Sequence, residues 1–351
     1  MSETVDMKIK KAEKILSEIE LLRRRELRVL PAKYTECGYK NDNILPDITE
    51  AWKTFDENTV IGGLDNHCWI YFEFTTPKCS DEYAQLRLKL LSGYSGQFRS
   101  CRNPQCIMYI NEKLVQGLDL NHTEYVLEPE TEYKIYLYYY SGMFSESYNM
   151  KISLVQADLR IEKLYYDFKV PFEAAELFED DDYRHIETTK QIDIAADFLD
   201  FTEPYSDRFF AGAKKACEYL ENNYYGKYNP HEAVVDCIGH THIDVAWLWT
   251  YAQTKEKVQR SFSIVVELMK RYPEYRFVIS QPQLLEYLKE EAPTVYSDIK
   301  ELVKQGKIEI EGAMWVEPDC NLPSGESLVR QIIWGKRFIK NEFGTDSKIL
   351  W

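Results

Sequence analysis

The chain has 351 residues, 44% hydrophobic and 29% charged, which is ordinary for a soluble globular protein of two or three domains. Its net charge of −15, from 43 basic and 58 acidic residues, speaks against nucleic acid or an anionic membrane as partner. No apolar run approaches the roughly 20 residues that span a bilayer, and the charged start offers no signal core, so neither a membrane segment nor export is expected. The eight cysteines form no CxxC pair, and Cys101 and Cys106 are spaced too loosely for a zinc knuckle. Free thiols in a reducing cytoplasm are the expectation. Asn121-His122-Thr123 fits the N-glycosylation pattern, which without export has no consequence.

Residues 7–28 place Ile9, Ala12, Ile15, Leu16, Ile19 and Leu22 at 3–4 spacing. This predicts an amphipathic helix packed on the body of the protein, with Arg23, Arg24 and Arg25 as a solvated basic face. From about Trp52 to Leu159 the period changes to two. Strands are predicted at 68–75, 85–91, 105–110, 113–117, 123–127, 133–140 and 150–155, with Asn111-Glu112 as a hairpin turn. Short strands at near-regular spacing predict a jelly-roll-like antiparallel sandwich. Its many tyrosines (136, 138, 139 and 140 among them) could bind sugar, but tyrosine is also a good strand former, and a structural role is the stronger reading.

Residues 160–225 return to helical spacing as a connector, with Glu179-Asp180-Asp181-Asp182 as a solvated link and a helix from Asp207 towards Gly226. After residue 230 the elements alternate. Strands are predicted at 233–238, 276–280, 308–314 and from 348; helices at 255–272, 283–291, 293–305 and 326–343. Such alternation means βαβ units around a parallel sheet, with the functional side chains just beyond the carboxyl ends of the strands. The division is multidomain, α/β plus all-β: an N-terminal helical segment (1–50), the sandwich (51–160), the connector (161–229) and an α/β part (230–351).

Two segments in that α/β part concentrate chemistry. Gly239-His240-Thr241-His242-Ile243-Asp244-Val245-Ala246-Trp247-Leu248-Trp249 holds two of the six histidines, a carboxylate and two indoles. His242 and Asp244, two residues apart after a strand, can converge on one ion, and zinc accepts both donor types. A structural histidine bonded to a carboxylate would look the same. His240 reads best as a partner supporting a ligand. The second segment, 311–326, carries Glu311, Glu317 and Asp319 with the helix-start signals Pro323, Ser324 and Gly325. Asp319 there is a metal ligand, a nucleophile or a plain surface acid.

Together with Ser280-Gln281-Pro282-Gln283-Leu284, these blocks (239–249, 280–284 and 312–327) resemble the catalytic domain of glycoside hydrolase family 38, the zinc-dependent retaining α-mannosidases. The likeness is strong over 230–351 and closest to the cytosolic and bacterial branch. The resemblance implies a (β/α) barrel-like catalytic domain of which this chain holds the first part. It implies His242 and Asp244 as ligands of a Zn2+ cofactor, Asp319 as both nucleophile and ligand, and Trp247 as a platform for mannose. The implied partner is an α-mannoside oligosaccharide. The family's fourth zinc ligand is a later histidine, and no histidine follows His242 here. Its general acid also lies further on, so the chain is expected to be a fragment or one piece of a split gene, inactive alone. The HxHxDH signature of metallo-β-lactamase-like proteins fails at Val245. The competing non-enzymatic reading is a carbohydrate-binding or scaffolding piece in which the sandwich does the work.

Overall fold

The computed structural model describes residues 3–39, 44–79, 81–93, 105–143, 145, 147–227 and 235–351. It opens with helix α1 (Glu3–Leu22) and then forms an antiparallel sandwich. The strands are β1 (Arg24–Val29), β2 (Ala32–Cys37), β3 (Lys53–Phe55), β4 (Val60–Gly62), β5 (His67–Thr75) and β6 (Ala84–Gly93). They continue as β7 (Gln105–Ile110), β8 (Lys113–Leu118), β9 (Glu124–Leu127), β10 (Glu132–Tyr140) and β11 (Ser147–Asp158). One sheet runs β1-β11-β6-β9, with β4 also on β11; the other runs β3-β2-β5-β10-β7-β8.

Alternation along each strand builds two cores, as a pleated backbone requires. In β5, Cys68, Ile70, Phe72 and Phe74 point between the sheets, whereas Trp69 points outward to Tyr109, Tyr138 and Trp52. In β10, Tyr139 lies in the inner core and Tyr138 in the outer one. The tyrosine-rich run is therefore packing: Tyr138, Tyr139 and Tyr140 are all buried. Asn111 and Glu112 both adopt positive φ, 47° and 71°, as a two-residue type I′ hairpin demands.

Helices α2 (Leu159–Ala175), α3 (Tyr183–Ala196) and α4 (Asp207–Leu220) pack with α1 around Leu164, Phe168, Ile192 and Phe209. All six apolar positions expected on the first helix join this core. A π-helical turn (Glu221–Tyr225) follows α4. The acidic run is a surface link as expected, and its last member also works: Asp182 caps α3 by accepting from the Arg184 amide at 2.8 Å.

The N-terminal helix is shorter than its spacing predicts. It ends at Leu22, and Arg24–Val29 pairs with β11 instead. Arg23 and Arg24 are not solvated; they are half-buried, Arg23 paired with Glu162 and Arg24 with Glu124 and Glu162, which residues 7–28 alone could not reveal. Short β2, β3 and β4 were likewise not anticipated. Of the cysteines, Cys101 lies outside the described residues, and the other seven form no disulfide among the described residues.

The remainder is a parallel unit: β12 (Gly239–His240), α5 (Tyr251–Arg271), β13 (Phe277–Ile279), α6 (Pro282–Glu291), α7 (Pro293–Lys304), β14 (Ile308–Ile310) and α8 (Gly325–Phe343). The strands lie side by side in chain order, and Leu350 adds a parallel bridge to Gly312. The strand predicted at 233–238 is not formed where described. Ala233 and Val234 lie outside the described residues, 235–238 is irregular, and pairing starts at Gly239. There a Cβ would stand 2.2 Å from the Tyr275 hydroxyl and 2.8 Å from the Phe277 ring, so any larger residue would have to push these side chains aside.

Helix α5 ties this unit to the sandwich by lying against β8. Gly117 is the contact point, because a Cβ there would meet Arg260 Cγ at 2.0 Å. The seam is polar: buried Glu256 accepts from the Tyr138 hydroxyl at 2.9 Å, and Gln253 donates to Asp65 at 3.1 Å. Among the described residues no helix is long and apolar enough to cross a membrane.

Candidate active site

Three loops leave adjacent carboxyl ends of the parallel strands: 241–250 after β12, Ser280-Gln281 after β13 and 311–324 after β14. They meet at His242. Its Nδ1 contacts the Glu317 carboxylate, and its Nε2 lies 3.0 Å from Asp244 Oδ1. Glu317 also accepts from the Ser280 hydroxyl, which in turn lies 2.9 Å from His240 Nε2. His240 thus supports Glu317 through Ser280, and its ring packs on Trp351 at 4.9 Å.

The supports of this cluster are glutamines. Buried Gln281 donates to the Ile243 carbonyl at 3.0 Å and accepts from the Glu317 amide at 3.3 Å, joining the first and third loops. Gln283 accepts from the Trp315 indole at 2.7 Å, and Gln331 on α8 accepts from the Val316 amide at 2.9 Å. Gly335 lets α8 approach this loop: a Cβ there would stand 2.0 Å from the Ala313 carbonyl oxygen.

On the other side, the Trp249 indole donates to the Asp244 carbonyl at 3.2 Å. Lys257 lies over that indole at 4.3 Å. Burial, reinforced by the Arg260 cation and only partly opposed by Asp119, pushes the Lys257 ammonium down to about 8. Thr250 caps α5 in a reciprocal capping box with Gln253, which fixes where the loop ends.

His242 carries opposed influences. Desolvation lowers its pKa, but hydrogen bonds to Asp244 and Glu317 together with their charges raise it above the usual imidazole value. Its side chain is 50% exposed and that of Asp244 41%, while Glu317 is only 12% exposed. A half-open pair resting on a buried carboxylate is the arrangement that orients a metal-binding imidazole. Zinc held at about 2.0–2.2 Å by two donors places them roughly 3–3.5 Å apart. The spacing of His242 Nε2 and Asp244 Oδ1, with Nδ1 already occupied, suits such an ion.

The other expected site residues stand apart. Asp319 is exposed and accepts from the Asn321 amide at 2.7 Å in a local turn. No hydrogen bond or ion pair joins it to His242 or Asp244, and among the described residues no three metal-binding side chains gather as a ligand set. Trp247 is 68% exposed beside the cluster, edge-on to Trp249 at 5.6 Å. Glu317, Ser280, Gln281 and Gln283 lie in the blocks noted in the sequence but were given no role there, and Gln331, on α8, was not singled out.

A half-open histidine–carboxylate centre at the carboxyl ends of parallel strands defines an α/β domain built for ligand chemistry at that end. Residues 232–351 match the family model described as "Glycosyl hydrolases family 38 N-terminal domain". Over that segment the chain is similar to glycosyl hydrolase family 38. Alpha-mannosidase G of Dictyostelium discoideum is 34% identical over 197 residues, 54% of this chain and 18% of that protein. The alpha-mannosidase of Saccharomyces cerevisiae is 35% identical over 213 residues, 57% of this chain and 19% of that one. Human alpha-mannosidase 2C1 is 40% identical over 133 residues, 38% of this chain and 13% of that protein. The chain thus spans about a fifth or less of the length of these relatives.

Proposed function

We propose that this chain carries the zinc- and nucleophile-bearing part of a retaining α-mannosidase site, acting on terminal α-linked mannose of oligosaccharides. The observation that carries the reading is His242, braced by Glu317 on one nitrogen and facing Asp244 with the other. His242 and Asp244 would hold the ion, with Asp319 as the third protein ligand. A bound zinc supplies orientation and polarisation of sugar hydroxyls as the ring approaches an oxocarbenium-like transition state.

The remaining roles fall to the chain itself. The exposed Trp247 indole stacks against the flat face of the mannose ring. The Asp319 carboxylate attacks the anomeric carbon, the glycosidic bond breaks, and the departing oxygen takes a proton from a general acid. Water then hydrolyses the glycosyl ester, and two inversions give retention. The three parallel strands are, in this reading, the first of a (β/α) barrel. No carboxyl group of this chain is assigned as the general acid. Its free thiols fit a reducing cytoplasm. The rival reading of a sugar-binding sandwich is weakened because Tyr138, Tyr139 and Tyr140, of the tyrosines it would use, are buried.

The test is binding and hydrolysis of an aryl α-mannoside with and without a chelator. Chelator-sensitive binding that is lost in Asp244→Ala supports the reading. Binding indifferent to both would overturn it.

A further inference from the structure

A cavity of about 380 Å³ lies at the opposite end of α5 from the His242 loop, where Ile264, Leu268 and Arg271 meet α1, β1 and the sandwich edge. The helix has 21 residues, or about 30 Å at 1.5 Å per residue, so this cavity and the His242 cluster are separate. Its lining is charged. Glu162 accepts from Arg24 at 2.7 Å, Arg87 at 2.8 Å and Arg23 at 3.1 Å. Glu124 accepts from Arg24 at 2.7 Å and Arg87 at 2.9 Å, and Glu20 accepts from Arg23 at 2.7 Å. Three arginines and three carboxylates therefore pair with one another.

Lys89 is left over. Its ion-pair contact, with Glu124, is 3.7 Å, beyond hydrogen-bond distance, and its side chain is only 22% exposed. Burial pulls its ammonium below the usual lysine range; the attraction of Glu124 does not make this up, and Arg24 repels it further. Arg271 enters the same cavity, and the neighbouring Glu267 is already bound to Lys270. The buried Arg23 Nε has no hydrogen-bond partner. On a chain of net charge −15, a recessed pocket with two uncompensated cations is the opposite of the general surface. A desolvated cation without a full partner is costly, and an anion in the cavity removes that cost.

We propose that this cavity binds a compact oxyanion carried on a small hydroxylated molecule, held by Lys89 and Arg271. Asn121 and Thr123 on its wall offer hydrogen bonds to the hydroxyls, and the volume admits a molecule the size of a small sugar acid or sugar phosphate. A phosphate monoester and a carboxylate share this chemistry, and the titration separates them.

The experiment is isothermal titration of the full chain with glycerol 1-phosphate, with glycerate and with glycerol as the neutral control, at fixed ionic strength. Saturable binding of either anion, with none of glycerol, is the expected result, and the tighter anion names the group. Lys89→Met and Arg271→Gln should each weaken binding by at least about tenfold, as loss of a charge-assisted hydrogen bond implies. Arg271 is exposed, so its variant keeps the test open should Lys89→Met not fold. No saturable binding of either anion, or affinity unchanged in both variants, overturns the proposal.

Discussion

Replacing Gly335 with alanine reverses an ordinary rule. In the middle of a helix, glycine to alanine normally stabilises by about 1 kcal/mol, because glycine has more backbone freedom to lose. At Gly335 the added Cβ would stand 2.0 Å from the Ala313 carbonyl oxygen and 2.8 Å from the Met314 carbonyl carbon. Both atoms are backbone, so neither can rotate away; either α8 or the 312–317 loop must move. Overpacking of this kind costs about 1–3 kcal/mol, and with immovable backbone atoms inside 3 Å the upper part of that range applies, which outweighs the propensity gain. At about 2–8 °C per kcal/mol, the thermal midpoint should fall by several degrees in a circular-dichroism melt. Gly325→Ala is the matched control in the same helix, since nothing lies within 4 Å of a Cβ there, and it should leave the midpoint unchanged or slightly raised. The displaced loop carries Glu317, so Gly335→Ala should also bind zinc more weakly. A Gly335→Ala midpoint equal to that of Gly325→Ala would refute the close approach, and with it the placement of Glu317 beside His242.

Two further variants probe the same architecture. Glu317→Gln removes the charge that braces His242 Nδ1 while keeping the shape, so zinc affinity measured by chelator competition should fall about 10–100-fold, with the fold intact; unchanged affinity would remove Glu317 from the site. Glu342 joins α8 to Lys289 on α6 and to Tyr296 and Lys300 on α7. The Lys289 hydrogen bond leads in holding its carboxyl at about 2, with Tyr296 and Lys300 assisting against partial burial, below the ordinary 4.5. Because the folded value is depressed, its contribution is complete above about pH 4.5 and is lost as pH falls towards 2. Glu342→Gln should therefore lower the urea midpoint at neutral pH, and the gap to the wild type should narrow below about pH 4.5; a gap that widens on acidification would contradict this.

What could be read from the sequence was set by how local each signal is. Strands β5, β7 and β10 were legible because every second side chain enters one core and the alternate ones another. The face of α1 was legible for the same reason at helical period. The end of that helix was not. Arg23 to Arg25 look like a solvated continuation until Glu124 and Glu162, about a hundred residues or more away, draw Arg23 and Arg24 inward and β11 pairs with the chain. The three-residue strands β3 and β4 are too short to show a period. Val235 and Ile238, apolar in sequence, are 80% and 61% exposed, and pairing with β13 begins only where Gly239 permits it.

The site divides in the same way. His242 and Asp244 are neighbours in sequence and neighbours in space. Glu317, Ser280, Gln281 and Gln331 become a support only when the strands bring their loops together with α8. Asp319 was noted from its place after a strand and, like Trp247, took its role from family resemblance; the former sits in its own local turn and the latter faces outward near the cluster.

The account rests on His242 and Asp244 sharing a metal ion. The most direct measurement is the zinc content of the purified chain after equilibration with zinc and removal of the excess, compared with that of Asp244→Ala. About one zinc per wild-type chain and none in the variant is expected, with both chains equally folded. Equal zinc in the two, or none in the folded wild type, would contradict it.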